Sequence, residues 1–100
     1  MFLVRTDFHR PLDVPDDHLS ALVIAERVRA EELQRNHTIR LLWREPSTSI
    51  AWGIWEASGE SELHEAIRSL PLSRWMDIAV HPVIDHPNAL LPPSQTWSTP

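Results

Sequence analysis

The chain has 100 residues, of which 42% are apolar and 23% charged, a composition typical of one globular domain and a length too short for two. A domain of this size buries only roughly 60 to 65% of its unfolded surface, so its core is modest and association with a second copy is expected. The absence of Cys excludes disulfides, thiol nucleophiles and thiolate metal sites, and the absence of Lys excludes Schiff-base chemistry.

The formal net charge of -5 argues against nucleic acid or an anionic membrane surface as the main partner, because both require a basic field. Individual arginines remain candidates for binding a small anion. No apolar run approaches the length of a membrane span, and Arg5 and Asp7 interrupt the N-terminus before a signal-peptide core could form. We therefore expect a cytoplasmic protein that does not bind membranes.

The first predicted elements are a strand and a long helix. Residues 2–8 form a short β-prone stretch, and Pro11 and Pro15 mark the loop that follows it. The pair Asp16-Asp17 indicates a helix start with an Asp as the N-cap, and the helix should run over about residues 17–36. Its apolar stripe has helical spacing and consists of Leu19, Leu22, Val23, Ala30 and Leu33.

The second half of the chain predicts a hairpin, a shorter helix and a last strand. Ile39, Leu41 and Trp43 alternate with polar neighbours, residues 45–49 form a turn, and residues 50–57 return as a strand. A helix with apolar positions from Leu63 to Leu70 is terminated by Pro71, and a strand from Met76 ends at Pro82. Residues 88–100 are interpreted as a Pro-rich extended tail.

Strand, helix, strand, strand, helix, strand is the order of a ferredoxin-like α+β domain, which we assign to residues 1–87. Its antiparallel four-stranded sheet carries both helices on one face. The strands also hold Trp43, Trp52 and Trp55, which would leave the other face with a large apolar patch. A second subunit is therefore expected to cover that face, giving a dimeric α/β barrel.

Glu26 lies in the middle of the apolar stripe of the long helix. Such a carboxylate is either a structural partner of an Arg or a group with a raised pKa, as general bases for carbon acids require. Arg40 and Arg44 share one face of their strand by the period of two, and either could hold a substrate carboxylate or form surface salt bridges.

Other chemistries have weak support. None of the six His forms a pair with metal-ligand spacing, so no metal site is expected. Only two Gly occur, Gly53 and Gly59, which leaves no Gly-rich loop to cradle a nucleotide phosphate. The five Trp are more simply core and interface residues than a stacking platform for bases.

Several segments, in this order, resemble the muconolactone delta-isomerase family of aromatic-degradation pathways. They are Leu33-Gln34-Arg35, Thr38 with Arg40, Leu42-Trp43-Arg44, Leu63-His64, Leu70-Pro71-Leu72, Met76-Asp77-Ile78 with Val80, and His86-Pro87. The resemblance covers nearly the whole chain up to Pro87. The combination of Leu-Pro-Leu with Met-Asp-Ile-x-Val is fairly specific, whereas each piece alone is weak.

This resemblance implies a ferredoxin-like subunit that dimerises through its sheet, with dimers assembling into a decamer. It also implies a cofactor-free proton shift in a carboxymethyl-substituted unsaturated lactone, from muconolactone to the enol-lactone of 3-oxoadipate. The family's helical Glu falls on Glu26, which would act as base and then as acid. The resemblance and the chemistry together give as substrate-binding candidates Arg40, Arg44, Arg27, Leu22, Trp52 and Ser49.

The chain departs from the family pattern at three positions near the site. Arg27, Ile39 and Ser49 stand where the family has a Lys, an aromatic residue and a Tyr. These changes reshape the pocket, so a chlorinated or methylated lactone, or a dehalogenating reaction, fits equally well. Alternatives from other classes are a non-catalytic binding module for a small apolar acid and a cofactor-free oxygenase of similar fold.

Overall fold

The computed structural model describes residues 1–90, and the elements follow one another in the predicted order. The strands are β1 (Phe2–Phe8), β2 (Ile39–Arg44), β3 (Ile50–Trp55) and β4 (Met76–Pro82), and the helices are α1 (Asp16–Arg35) and α2 (Glu60–Arg68). A short 3-10 helix at Ser73–Trp75 leads into β4. The strand β3 ends two residues earlier than the sequence predicts.

The four strands form one antiparallel sheet in the order β2-β3-β1-β4. Since β1 lies between β3 and β4, the two strand-helix-strand halves interleave, as the ferredoxin-like arrangement requires. The α+β fold class is therefore confirmed. The boundary at residue 87 stays a prediction, and residues 91–100 of the predicted tail lie outside the described residues. No helix within residues 1–90 is long and apolar enough to cross a membrane.

The core lies between the helices and one face of the sheet, called here the inner face. On β1, Phe2 and Val4 point to this face, where they stand opposite Trp55 and Gly53 of β3. Leu33 of α1 and Leu63 and Ile67 of α2 pack against them and are almost fully buried. This packing fixes both helices over the sheet and stabilises the chain mainly by removing apolar surface from water.

The start of α1 differs from the sequence prediction. Pro15 occupies the N-cap position, and Asp16 and Asp17 lie in the first turn. The carboxylate of Asp17 accepts a hydrogen bond from the main-chain N–H of the next residue, His18, at 2.9 Å. An Asp N-cap is thus wrong, although the two acidic side chains still stabilise the helix through its dipole.

A bulge in β2 changes which of its side chains face the core. The pairing with β3 shifts between Ile39 and Leu41, so Ile39 faces Trp55 while Leu42 faces Gly53. The uninterrupted alternation predicted for Ile39, Leu41 and Trp43 is therefore wrong, because the extra residue reverses the pattern. Ile39 is buried on the inner face, and Trp43 lies on the opposite, outer face.

The position of Trp55 also corrects an expectation. Trp55 lies three positions after Trp52 on one strand, and side chains an odd number of positions apart point to opposite faces. Trp55 is buried in the core, whereas Trp43 and Trp52 stand opposite each other on the outer face. The outer face therefore carries two Trp side chains, whereas the sequence analysis predicted three.

Candidate active site

Glu26 lies in the middle of α1, on the side that turns toward the sheet, and is half-buried. Its Oε1 accepts a hydrogen bond of 2.9 Å from the main-chain N–H of Leu72. Leu72 itself is buried and immediately precedes the short 3-10 helix, whose turn holds the N–H in place. The carboxyl group is thus attached to the α2–β4 connection by a backbone donor.

Two opposing effects act on this carboxyl group. Burial removes water from the charged form and raises the pKa of Glu26, and the hydrogen bond from Leu72 partly opposes that rise. No arginine within residues 1–90 forms a salt bridge with Glu26. The sequence left two roles open for Glu26: a structural partner of an Arg, or a carboxyl group with a raised pKa. The structure lacks the contact with Arg that the first role needs.

A cavity of about 380 Å³ opens beside Glu26, between α1 and the inner face of the sheet. Its wall is mostly apolar and is formed by Val4, Thr6, Glu26, Ala30, Ile39, Leu42, Trp43, Arg44, Ala51, Trp52, Gly53, Trp55, Leu70 and Met76. Ala51 and Gly53 occupy successive inner positions of β3 and leave the centre of the sheet without large side chains. The volume falls within the range of roughly 300–1,000 Å³ usual for small-molecule sites.

A second, more open cavity adjoins the first toward the β2–β3 turn and has a volume of about 720 Å³. The two cavities share five residues: Thr6, Glu26, Arg44, Ala51 and Met76. A carboxyl group and a guanidinium therefore line both the smaller cavity and the more open one.

The two candidate arginines of β2 have different surroundings. Arg44 follows the bulge, pairs with Ala51 and lines both cavities. Arg40 lies at the bulge itself, and its guanidinium is 3.6 Å from the carboxylate of Glu56. Because the bulge interrupts the period of two, the shared face predicted for the two arginines does not form, and only Arg44 reaches the cavity that contains Glu26.

Two candidates on α1 lie outside both cavities. Arg27 follows Glu26 in sequence and is exposed, because a step of one residue rotates a helical side chain about 100° away from its neighbour. Leu22 lies one turn before Glu26 on the same side and is half-buried. Neither lines the cavity beside Glu26, although Leu22 belongs to the same face of the helix.

The remaining two candidates lie on the hairpin. Trp52 has its side chain on the outer face, where its Nε1 donates a 2.6 Å hydrogen bond to Glu45 and the Arg5 guanidinium stands 6.0 Å from the ring centroid. Trp52 is also one of the residues that line the cavity beside Glu26, and its neighbours Ala51 and Gly53 face inward. Ser49 is exposed, lines the open cavity and donates a hydrogen bond to Asp7.

Three features of the site were missed by the sequence reasoning. The Leu72 donor is a backbone group and has no sequence signature. The small pair Ala51 and Gly53 does have one, since small residues at alternate positions of a strand indicate space on one face. Trp55 could have been assigned to the inner face by counting from Gly53. Within residues 1–90, no three His, Asp or Glu side chains come together as a metal site.

The fold and this site define a class: a ferredoxin-like subunit with one acid and one guanidinium beside an apolar small-molecule cavity, suited to acid–base chemistry. The family model for muconolactone delta-isomerase matches residues 1–89. The chain therefore belongs to the muconolactone delta-isomerase family, and it is an intramolecular isomerase.

Individual relatives agree with this assignment. The chain is 31% identical to a muconolactone delta-isomerase of Acinetobacter baylyi, over 90% of this chain and 94% of that protein. It is 29% identical to one of Cupriavidus pinatubonensis, over 90% of this chain and 98% of that protein. A crystal structure of muconolactone isomerase superposes with a TM-score of 0.82 at 29% identity, covering 90% of this chain and 94% of that one.

Proposed function

We propose that this isomerase converts muconolactone to the enol-lactone of 3-oxoadipate in the degradation of aromatic compounds, with Glu26 moving the proton. The observation that carries this proposal is the half-buried carboxyl group of Glu26 on the wall of an apolar cavity of about 380 Å³. The names of the relatives support the substrate. The site supports the chemistry, because a single half-buried carboxylate can both take up and return a proton.

The reaction needs one base and no change of oxidation state. The ring C–H beside the lactone oxygen is acidified by the conjugated carbonyl, so Glu26 can remove that proton while the electron pair spreads to the carbonyl oxygen. The protonated Glu26 then returns the proton to the other end of the dienolate, and the ring double bond moves. Burial suits Glu26 to this double role, because it raises the pKa of the carboxyl group toward neutral pH, where a group can both accept and donate a proton.

Arg44 is the group that we assign to the substrate carboxylate. It lines the same cavity as Glu26, and within residues 1–90 it forms no ion pair. A guanidinium binds a carboxylate with two parallel hydrogen bonds, which fixes the ring relative to the base. Arg40 is less suited to this role, since Glu56 already neutralises it.

The test is turnover of muconolactone by the purified protein, followed by ultraviolet absorbance. Glu26→Gln keeps the shape of the side chain and its capacity to accept from Leu72 but cannot take up a proton, so we expect turnover to fall at least about 10²-fold. The matched control is Glu31→Gln, on the exposed side of the same helix where Glu31 pairs with Arg35 at 3.1 Å. Full activity of Glu26→Gln would refute the assignment of the base.

The same assay distinguishes the remaining alternatives. A ring-chlorinated lactone is offered in parallel, and chloride release faster than isomerisation of muconolactone would make the chain a dehalogenating member of the family. Binding of the lactone without any turnover by the wild-type protein would instead favour a non-catalytic module for small acids. Isomerisation of muconolactone that disappears in Glu26→Gln is the result expected here.

A further inference from the structure

The indole N–H of Trp55 is a polar group at the edge of the apolar core. The Trp55 side chain is only 3% exposed and lies on the inner face, opposite Phe2 and Ile39, where it lines the cavity that contains Glu26. An indole N–H is a donor only, and a buried donor is normally paired. The other Trp of this strand follows the rule, since the Nε1 of Trp52 donates to Glu45.

Among residues 1–90, Trp55 Nε1 has no hydrogen-bond partner, but it is not sealed in the core. No side-chain hydrogen bond within residues 1–90 involves this nitrogen, whereas every fully buried side-chain nitrogen or oxygen of that region has a partner. Within the described part of the chain, this nitrogen therefore keeps some exposed surface. Its surroundings identify the space that this surface faces, because the indole borders the cavity of about 380 Å³.

Gly53 fixes the direction in which the indole nitrogen points. A Cβ atom at Gly53 would lie 2.9 Å from Trp55 Nε1 and 3.3 Å from Cδ1, so the pyrrole edge of the ring lies across this glycine. Gly53 itself lines the cavity. The absence of a side chain at residue 53 thus lets the N–H edge of Trp55, rather than a hydrocarbon edge, border the floor of the cavity.

The register of the sheet places this donor opposite the proposed carboxylate anchor. Ala51, Gly53 and Trp55 are successive inner positions of β3, and Arg44 pairs with Ala51 at the far end of that series. The series spans about 13 Å of strand, and the indole reaches back toward Gly53. A ligand with its carboxylate at Arg44 and its lactone ring inside the cavity therefore directs its lactone carbonyl oxygen toward Trp55.

We infer that the indole N–H of Trp55 donates a hydrogen bond to the lactone carbonyl oxygen, an inference that rests on the proposed function. This oxygen gains negative charge when the electron pair of the broken C–H bond enters the conjugated system. The proton goes to Glu26 and returns to the ring, and Trp55 keeps its own proton throughout. A fixed donor aimed at developing charge in an apolar site stabilises the dienolate more than the starting lactone.

The experiment compares Trp55→Phe, which removes the N–H and keeps an aromatic ring, with Trp75→Phe, which makes the same change at a residue that lines neither cavity. For Trp55→Phe we expect kcat to fall about 10²-fold while KM changes by less than about threefold, and for Trp75→Phe wild-type kinetics. A merely structural role of Trp55 would lower the amount of folded protein without this separation of kcat from KM.

A second measurement uses the wild-type protein and does not depend on turnover. In ¹⁵N-labelled protein, a saturated carboxymethyl lactone, which keeps both oxygens' positions but cannot isomerise, should move the indole N–H resonance of Trp55 downfield and leave that of Trp75 in place. Side-chain correlation experiments that link each indole N–H to its assigned backbone amide identify the two signals even if Trp55→Phe does not fold. A stationary Trp55 resonance, or a kcat of Trp55→Phe within about twofold of wild type, overturns the inference. Absence of turnover by the wild-type protein would refute the proposed function instead. In that case the shift of the Trp55 resonance still shows whether the indole N–H donates a hydrogen bond to the bound lactone.

Discussion

The proposed role of Glu26 as the base requires that its carboxyl group be ionised, and this requirement links its environment to the pH profile of the enzyme. Protonation below the pKa of Glu26 removes the base, so kcat/KM should fall as the pH is lowered through that pKa. Because burial raises the pKa, the acid limb should lie above the range of an ordinary Glu, about 4.3. Initial rates between pH 4 and 8 measure it. A limb centred at or below about 4.3 would contradict a desolvated base.

Arg44 and Arg40 offer a direct comparison between two positions on one strand. Arg44→Ala should raise KM about tenfold or more, because it removes charge-assisted hydrogen bonds worth about 1.5–3 kcal/mol to the substrate carboxylate. Arg40→Ala should raise KM far less, since it loses only a partly exposed pair with Glu56. Steady-state kinetics of both variants check this, and a larger effect at Arg40 would make Arg40 the anchor.

The sequence was informative about the site where a residue type conflicted with its surroundings. Glu26 could be singled out because a carboxylate interrupts an apolar stripe, and the pattern needs no tertiary information. Its partner Leu72 could not, since the contact joins residues far apart in the chain through a backbone N–H that every residue except Pro carries. The sequence shows that residue 55 is a Trp, but it does not show where the indole nitrogen points, because that direction depends on the contact with Gly53.

At the scale of the elements, β3 creates the cavity by alternating small inner residues with large outer ones. Ala51 and Gly53 point inward, whereas Ile50, Trp52 and Ile54 point outward. The inner face therefore carries a hollow at its centre while the strand still has high β-propensity. Gly53 allows close approach in two directions, since a Cβ there would meet both Trp55 and the carbonyl oxygen of Leu41 at 3.1 Å.

Gly53→Ala should consequently destabilise the fold by about 1–3 kcal/mol, because the new methyl group must displace the Trp55 indole and crowd the backbone of the adjacent strand. The midpoint of urea unfolding measures the change. Gly59→Ala is the matched control: a Cβ at this position meets nothing within 4 Å, and the cost should stay below about 1 kcal/mol. Equal unfolding midpoints for the two variants would show that a methyl group fits at residue 53 without displacing its neighbours.

The elements themselves were predictable to within a few residues because their patterns are local. The order of strands and helices, and hence the fold class, follows from periodicity and from Pro and Gly positions. The bulge in β2 was not predictable, since it arises from how β2 pairs with β3 and leaves no mark in the sequence of either strand. That single extra residue decides which of Arg40 and Arg44 reaches the cavity.

At the scale of the whole molecule, the outer face of the sheet is divided between apolar and charged regions. Leu41, Trp43, Trp52 and Ile54 occupy the part formed by β2 and β3, and Asp77 and His81 lie on β4. Trp43 is 51% exposed, which is unusual for so large an apolar side chain. Within residues 1–90, neither helix packs on this face. We propose that a second copy of the chain covers it, as the likeness to the family implies.

The substitution Trp43→Glu tests this arrangement. The wild-type protein should sediment at a multiple of the subunit mass of 11.5 kDa, and the variant at a lower multiple, because a buried unpaired carboxylate at each copy of a symmetric interface opposes association. Leu12→Glu is the control, since Leu12 is 99% exposed in the β1–α1 loop and its replacement should leave the mass unchanged. A wild-type protein that sediments as a monomer at micromolar concentration, or a Trp43→Glu variant that keeps the wild-type mass, would exclude the outer face of the sheet as the interface.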